Sequence, residues 1–583
     1  MDGAGPLSLS GRRWIFAAVD QDAATRFAQV ARVPEQIARL LISRGIAAED
    51  AASYLNPRLR DLLPDPSVLA DAGLAAQRIA HSVIAAETIA VFGDYDVDGT
   101  ASTALLVGVL RELGATVLHA VPDRVIDGYG PNIDAFRRLV DGGARLIICV
   151  DCGSSGHAPI AGISGVAEVV VIDHHALTGA LPPARAVVNP NRDDDTSDLG
   201  HLCAAGVAFL VLVALMRHLR AVGWFNGRPE PDLLGTLDLV AIATVCDVVP
   251  MRGINRAFVD RGLARIAQAP RPGFSALSAV AGLKRGVDAQ ALGFALGPRL
   301  NAAGRLADAD LGVRLLLAED AATAEALAGR LDELNRDRQT IERAVLAEAL
   351  EAAEAQAASG LPVIVVASPR WHEGVVGIVA GRLRERLHRP AFVFAIGSEA
   401  AKGSGRSVPG VHLGHAVQQA VSAGVARKGG GHALAAGVTL DPEQLAAFHT
   451  LVCGACDTAA VAGPPPLAIA ATLTPEGADA ILADMVARLG PFGTDNEEPR
   501  FAVSGLLSHV SRMGRDGATL GLTVTGESGT RLRAVLFRAD DGPLAEGLVQ
   551  ARGHSVTLSG RLRRDDFRGG DAVSLQVNDA IYA

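Results

Sequence analysis

The chain has 583 residues, enough for roughly four domains. Apolar residues make up 49% of it and charged residues 20%, which excludes a largely disordered protein, and six cysteines are too few for a disulfide scaffold. A net charge of −10 excludes a uniformly basic polyanion binder but leaves room for a local basic groove.

The N-terminal segment, 1–74, carries Arg12-Arg13 ahead of the apolar run Trp14 to Val19. That pairing has the look of a twin-arginine export signal, but Asp20 and Asp22 cut the run short. The longest apolar stretch, Leu202 to Met216, stops at Arg217, His218 and Arg220. It is shorter than the roughly 18–20 residues of a membrane span and predicts a buried helix instead. The expectation is a cytoplasmic chain with no membrane partner.

From residue 87 to about 250, short β-branched runs alternate with helical ones. Strands are predicted at 88–93, 116–121, 144–150 and 168–172, with helices at 100–113 and 133–140. The alternation predicts an α/β domain with a largely parallel sheet over 75–260, covered by the 202 helix and another at 233–244. Residues 319–358 are rich in Ala, Glu, Leu and Arg without Pro, and predict a long connecting helix inside a helical connector, 261–360. A second α/β domain is predicted over 361–458, opening on Val363-Ile364-Val365-Val366. Gly463-Pro464-Pro465-Pro466 marks a linker. Beyond it, strands at 467–473, 519–525, 532–537, 555–562 and 572–577 predict a small β-barrel, an OB-fold, over 467–583.

The strongest chemical signal is Gly93-Asp94-Tyr95-Asp96-Val97-Asp98-Gly99, three aspartates at spacing two between a strand and a helix. At the carboxyl end of a parallel strand they face the ligand crevice. Three like charges packed together are costly without a cation. An EF-hand is excluded, because its twelfth position would be Leu105 and a strand precedes the loop. Asp151 follows the next strand, Asp173-His174-His175 the one after, and Asp247 a later helical run. Oxygen and imidazole ligands without thiolate suit Mn²⁺ or Mg²⁺.

These motifs, Asp94-Tyr95-Asp96-Val97-Asp98-Gly99, Val150-Asp151-Cys152-Gly153, Asp173-His174-His175 and Asp247-Val248-Val249-Pro250, resemble in order those of the DHH phosphoesterase superfamily. Three more stretches narrow the resemblance to its bacterial branch of single-strand-specific 5′→3′ DNA exonucleases. They are Gly297-Pro298-Arg299-Leu300-Asn301-Ala302-Ala303-Gly304-Arg305, Trp371-His372-Glu373-Gly374-Val375-Val376-Gly377, and the run from Gly429-Gly430-Gly431-His432 to Gly437. With the terminal barrel, the resemblance covers nearly the whole chain from about Pro34. Cys149 and Cys246 depart from the Thr and Ala expected beside Asp151 and Asp247.

The resemblance implies a DHH domain, a DHH-associated α/β domain, an OB-fold that binds single strands, and two Mn²⁺ or Mg²⁺ ions per active site. One ion would sit on Asp96, Asp151 and Asp247 with Asp94 nearby, the other on Asp98, Asp151 and His174. His175 would contact the scissile phosphate or protonate the leaving oxygen, with Asp173 orienting a histidine. Ser404 and Arg406, with Arg124, would bind a terminal 5′-phosphate. Arg299, Asn301, Arg305 and the stretch Gly429, Gly430, Gly431 and His432 would contact the strand. The implied partners are single-stranded DNA, a single-strand-binding protein and a helicase, for a monomer acting in recombination and repair. A DHH phosphoesterase of oligoribonucleotides or small nucleotides is the alternative, and the barrel and chain length weigh against it. A non-catalytic DNA-binding scaffold is disfavoured by the intact ligands.

Elsewhere the readings stay open. Only three of the 54 basic residues are lysines (Lys284, Lys402, Lys428), so phosphate contacts would use arginine forks. The basic run 381–389 is either a solvated helix face or a backbone track. Barrel residues Arg531, Arg533, Arg538, Arg561, Arg563, Arg564 and Arg568 would line a groove, with Phe537 and Phe567 as stacking or core residues. Cys149/Cys152 and Cys453/Cys456 fall in different domains, which argues against a four-cysteine zinc site.

Overall fold

The computed structural model describes residues 7–122, 128, 130–177, 179–284, 286–306, 308–456, 463–514, 517–539, 542–565 and 568–582. Contacts divide the chain into two compact units. The larger joins Pro64–Val249 to Phe258–Gly463, and the smaller joins Met1–Leu63, Pro250–Ala257 and Pro464–Ala583.

In the larger unit the first sheet is all parallel. Its order is Val117–Ala120, Thr88–Phe92, Ala144–Val150, Glu168–Ile172, Ala186–Val188. Ile89 to Phe92 and Leu146 to Val150 are fully buried, as strands with helices on both faces must be. The fifth strand has only three residues and was not predicted. Helix Ala204–Ala221 is the apolar run noted in the sequence, and it is long and apolar enough to cross a membrane. Here it is a core helix, with Phe209, Leu212 and Leu215 buried against helices Ala72–Ile84 and Val97–Glu112.

The predicted connecting helix is Ala321–Ala358, capped where Asp320 accepts from the Thr323 amide at 2.8 Å. It packs on helices Pro272–Val280 and Gly297–Leu306, and further along on strand Ile364–Ser368 and helix Glu373–Leu387. The second sheet runs Lys428–Gly431, Ala435–Leu440, Ala401–Arg406, Ala391–Ile396, Ile364–Ser368, and only its last pair is parallel. Phe392, Phe394 and Phe448 pack edge to face in its core.

The smaller unit holds a closed barrel. Strands Phe501–Met513, Thr519–Thr525, Arg531–Phe537, Val573–Tyr582 and Ser555–Arg564 pair in that order, and the first pairs again with the last. The 13-residue strand Phe501–Met513 is not among the strands the sequence predicts, because Ser504, Gly505, Ser508 and Ser511 interrupt its apolar pattern. The single strand expected at 467–473 is two: Leu467–Ile469 pairs with Trp14–Phe16, and Ala471–Leu473 with the start of the long strand. Ile37, Leu40 and Leu41 share one core with Leu482, Phe501 and Leu522, so N-terminal residues complete the barrel unit.

Candidate metal centre

Three strand ends and one helix end converge. Asp94 follows the strand Thr88–Phe92 after one glycine, Asp151 follows Ala144–Val150, and Asp173-His174-His175 follow Glu168–Ile172. Asp247 is the C-cap of helix Leu237–Cys246. Asp96 caps helix Val97–Glu112, its carboxylate accepting from the Gly99 amide at 3.1 Å. Gly99 is required there, because a Cβ would lie 2.5 Å from the Asp94 carbonyl oxygen. Backbone rarely seen outside glycine occurs at the ligand Asp151, at φ +61°, and at Val248, directly after Asp247, also at φ +61°.

The ligand atoms fall into three groups, each within 4.8 Å: Asp94, Asp96 and Asp151; Asp98, His174 and Asp247; and Asp151, His174 and His175. His174 Nε2 lies 3.3 Å from Asp151, 3.6 Å from Asp247 and 3.8 Å from Asp98. The geometry groups Asp247 with Asp98 and His174, where the resemblance implied a set of Asp96, Asp151 and Asp247. Asp98 is anchored from behind. Its oxygens accept from the Ala204 and Ala205 amides at 2.6 and 2.9 Å and from Ser102 Oγ at 3.2 Å, so the N-terminus of the core helix holds this carboxylate.

The residues fit divalent cations. His174 Nε2 and Asp247 Oδ2 are buried with no hydrogen-bond partner among the described residues. Burial, followed by Asp98 and Asp96, pushes the Asp247 carboxyl up to about 9. Burial and then Asp98, Asp96, Asp94 and Asp247 push Asp151 well up. Burial lowers His174. Carboxylates forced toward the neutral form beside a neutral imidazole are what a cation converts into ligands.

His175 is the more open histidine, its side chain 37% exposed against 13% for His174. Its Nδ1 bonds Asp173 Oδ1 at 2.8 Å. Burial pulls His175 down, but that bond and the charges of Asp173, Asp247 and Asp94 outweigh it and raise it to about 9. Burial opposes the Asp173 charge as well, yet the His175 bond and the Ser154 amide hold it well below the carboxylate range. Two supports behind the pair are not evident from the sequence motifs. Asn189 donates to Ser154 Oγ and to the His175 carbonyl, each at 2.9 Å, and Asn191 donates to the His174 carbonyl. Their signal was Asn189-Pro190-Asn191 after a strand too short to stand out.

A series of close contacts leads away from the aspartates. Gly304 abuts the Tyr95 carbonyl, and Arg305 Nη1 donates to the Gly374 carbonyl at 3.1 Å. Gly377 abuts Ser404 and Arg406, and Arg406 Nη1 bonds Ser404 Oγ at 3.1 Å. Arg299 instead bonds Asp332 of the long helix at 2.9 Å and the Ala295 carbonyl, while Asn301 is half-buried on the same turn. Gly429, Gly430 and Gly431 form an edge strand, and exposed His432 donates its amide to the Ala435 carbonyl at 2.8 Å. Arg124 and Phe567 lie outside the described residues. The basic run 381–389 is tied to the long helix through Arg382 to Glu342 and Arg386 to Glu354. In the barrel, Arg531, Arg533, Arg564 and Arg568 line a cleft of about 510 Å³. Arg533 faces Asp565, Arg564 bonds Asp484 and Asp571, and Arg561 and Arg563 face Glu498.

Family models match three stretches: the DHH family N-terminal domain over 88–244, the DHHA1 domain over 360–457, and the RecJ OB domain over 469–579. With the carboxylate and histidine cluster, they define a metal-dependent DHH phosphoesterase with a barrel appended. The single-stranded-DNA-specific exonuclease RecJ of Dickeya dadantii is 37% identical over 571 residues, covering 94% of this chain and 96% of the relative. The Escherichia coli protein of that name is 35% identical over 565 residues, covering 94% and 96%. A crystal structure of Thermus thermophilus RecJ in complex with Mn²⁺ is similar with a TM-score of 0.79 at 31% identity, covering 98% of this chain and 80% of that one. The chain belongs to the RecJ family.

Proposed function

We propose that the chain is a metal-dependent exonuclease that degrades single-stranded DNA from its 5′ end and releases 5′-mononucleotides in recombination and repair. The observation that carries this is the cluster at the strand ends. Asp94, Asp96 and Asp151 would hold one Mn²⁺ or Mg²⁺ and Asp98, His174 and Asp247 a second, with Asp151 within reach of both sets. When bound, such a pair supplies a nucleophile at neutral pH and offsets the charge of the phosphodiester. The chain's own residues do the rest. Asp173 fixes Nδ1 of His175, which leaves Nε2 as the donor. His175, its Nδ1 held by Asp173, would present the opposite ring nitrogen to the phosphate or the leaving oxygen and hand a proton across there.

Polarity needs a group that recognises one terminus. A 5′-phosphate offers more charge and an extra oxygen to an arginine fork than an internal diester does. Arg406 and Ser404, with Arg124, are assigned that task. The test is the ratio of initial rates on 5′-phosphorylated and 5′-hydroxyl strands at fixed salt. Arg406→Ala and Arg124→Ala should each collapse the ratio toward one. A ratio unchanged in both removes them from the polarity mechanism. The same reading has a cytoplasmic monomer working beside a helicase and a single-strand-binding protein, with domains at 75–260, 361–458 and 467–583 joined by the connector.

A further inference from the structure

Residues 289–306 form one helical run with a π-turn, Leu292–Leu296, in its middle. The Gly297 amide bonds the Leu292 carbonyl five residues back, and Cys246 Sγ lies 3.6 Å from the same oxygen. Turns of this kind are rare and gather at functional sites. This one is pressed against the residues just before the ligand Asp247. A Cβ on Gly293 would touch Val245 at 3.2 Å, and one on Gly297 would strike Cys246 Sγ at 2.4 Å. Leu292 and Leu296 are wholly buried, whereas Phe294 between them is 82% exposed. It is the most exposed large apolar side chain among the described residues, and the one exposed aromatic among those of the larger unit. Aromatics are only 4% of the chain. An exposed phenyl ring on the turn that packs against Val245 and Cys246, the residues leading into Asp247, is in place to meet a ligand from the solvent side.

We infer that Phe294 is a substrate-positioning residue, a platform on which a base of the single strand stacks as the strand passes the metal centre. The inference rests on the single-strand substrate proposed above. Its occupant follows from location: the turn packs against Val245 and Cys246, next in the chain to Asp247, and the helix it leads into carries Arg299, Asn301 and Arg305. Every base has a π-face, so one ring can serve a sequence-indifferent enzyme.

The test uses the full chain in EDTA, with 5′-phosphorylated strands in which a single abasic position is walked along the oligonucleotide. For the wild type, one position should weaken binding by about 5- to 100-fold. Phe294→Ala should lose the same factor on the intact strand and become blind to that abasic position. Phe294→Trp should keep the affinity, and its added fluorescence should be quenched by the intact strand but not by the strand abasic there. With Mn²⁺, Phe294→Ala should leave hydrolysis of a small diester, bis(p-nitrophenyl) phosphate, unchanged while raising KM for DNA. Equal weakening on intact and abasic strands, or no change in any DNA readout, overturns the stacking role, the second result pointing to a protein partner at this ring. A wild type that neither binds nor degrades single strands would overturn the proposed function itself, a separate and recognisable outcome.

Discussion

A methyl group on Gly304 would lie 2.6 Å from the Tyr95 carbonyl oxygen and 3.1 Å from Tyr95 Cβ. Comfortable non-bonded contacts begin at roughly 3.5 Å, so Gly304→Ala must separate the two segments by roughly 0.5–1 Å. The obstacle is backbone and cannot swing aside as a long side chain could. Forced separations of this kind cost about 1–3 kcal/mol. The larger effect falls on chemistry, because Tyr95 sits between Asp94 and Asp96 and its displacement carries both carboxylates with it. A misplacement of about 1 Å costs about 100-fold in rate. The expectation is therefore a folded Gly304→Ala protein with weaker Mn²⁺ binding by titration calorimetry and turnover on single strands down by about 100-fold. Gly329→Ala is the control. Gly329 lies inside the long helix with nothing within 4 Å of its Cβ position, so alanine there should stabilise by about 0.5–1 kcal/mol and leave turnover alone. Wild-type turnover and Mn²⁺ affinity in Gly304→Ala would refute the claim that this contact sets the position of the aspartate loop.

Asp151→Asn removes a carboxylate common to two of the ligand groups, and should cut turnover by at least about 100-fold while circular dichroism stays unchanged; near-normal turnover with Mn²⁺ would sink the shared-ligand reading. Stripped of metal, the protein should lose stability as pH rises. Asp247 stands at about 9 in the folded chain against 3.8 unfolded, so the folded state binds the extra proton; its contribution is full below about pH 4 and is lost as pH climbs through about 9. The melting midpoint in EDTA should fall across that window, and Mn²⁺ should restore more at pH 8 than at pH 6, because cations displace protons; a midpoint in EDTA that rises with pH contradicts the buried-carboxylate account. A chain ending at Gly463 should expose Ile37, Leu40 and Leu41 and aggregate, whereas one that also lacks residues 7–63 should stay soluble and cleave short oligonucleotides, which light scattering and an oligonucleotide assay will show.

The parts of the fold that were legible in the sequence are those whose pattern is local. The buried runs Thr88–Phe92 and Ala144–Val150 are continuous and β-branched, and each ends on its aspartate, so strand and ligand could be read together. Helix Ala321–Ala358 declared itself by composition and length. What escaped depends on pairing across the chain. Trp14–Phe16 becomes a strand only because Leu467–Ile469 lies beside it, and nothing near Trp14 encodes that partner. Phe501–Met513 alternates poorly because it serves two neighbours, one along its first half and another along its second. In the site, the aspartates stood out as three like charges at spacing two, set between a strand and a helix. The grouping of Asp247 with His174 did not, because it depends on where helix Leu237–Cys246 ends relative to the sheet. Asn189 and Asn191 escaped for another reason: a side chain that acts by bonding a carbonyl leaves no mark in spacing.

The smaller unit takes its pieces from three places along the chain: the first 63 residues, a short insert at Pro250–Ala257, and everything from Pro464 onward. During synthesis the helix Glu35–Ile42, which carries Ile37 and Leu41, emerges well before the strands that cover it, which are made about 400 residues later. At about 5–20 residues per second, the wait is roughly 20–80 s. The nuclease unit, by contrast, is complete once Gly463 has emerged. The chain therefore spends most of its synthesis with a sticky leading end, the catalytic half completes only after Gly463, and closure of the barrel is the last event. Such long-range closure is slow and prone to pair with the wrong copy. The apolar stripe of Ile37, Leu40 and Leu41 has no covering strand during that interval and is the surface most exposed to wrong pairing.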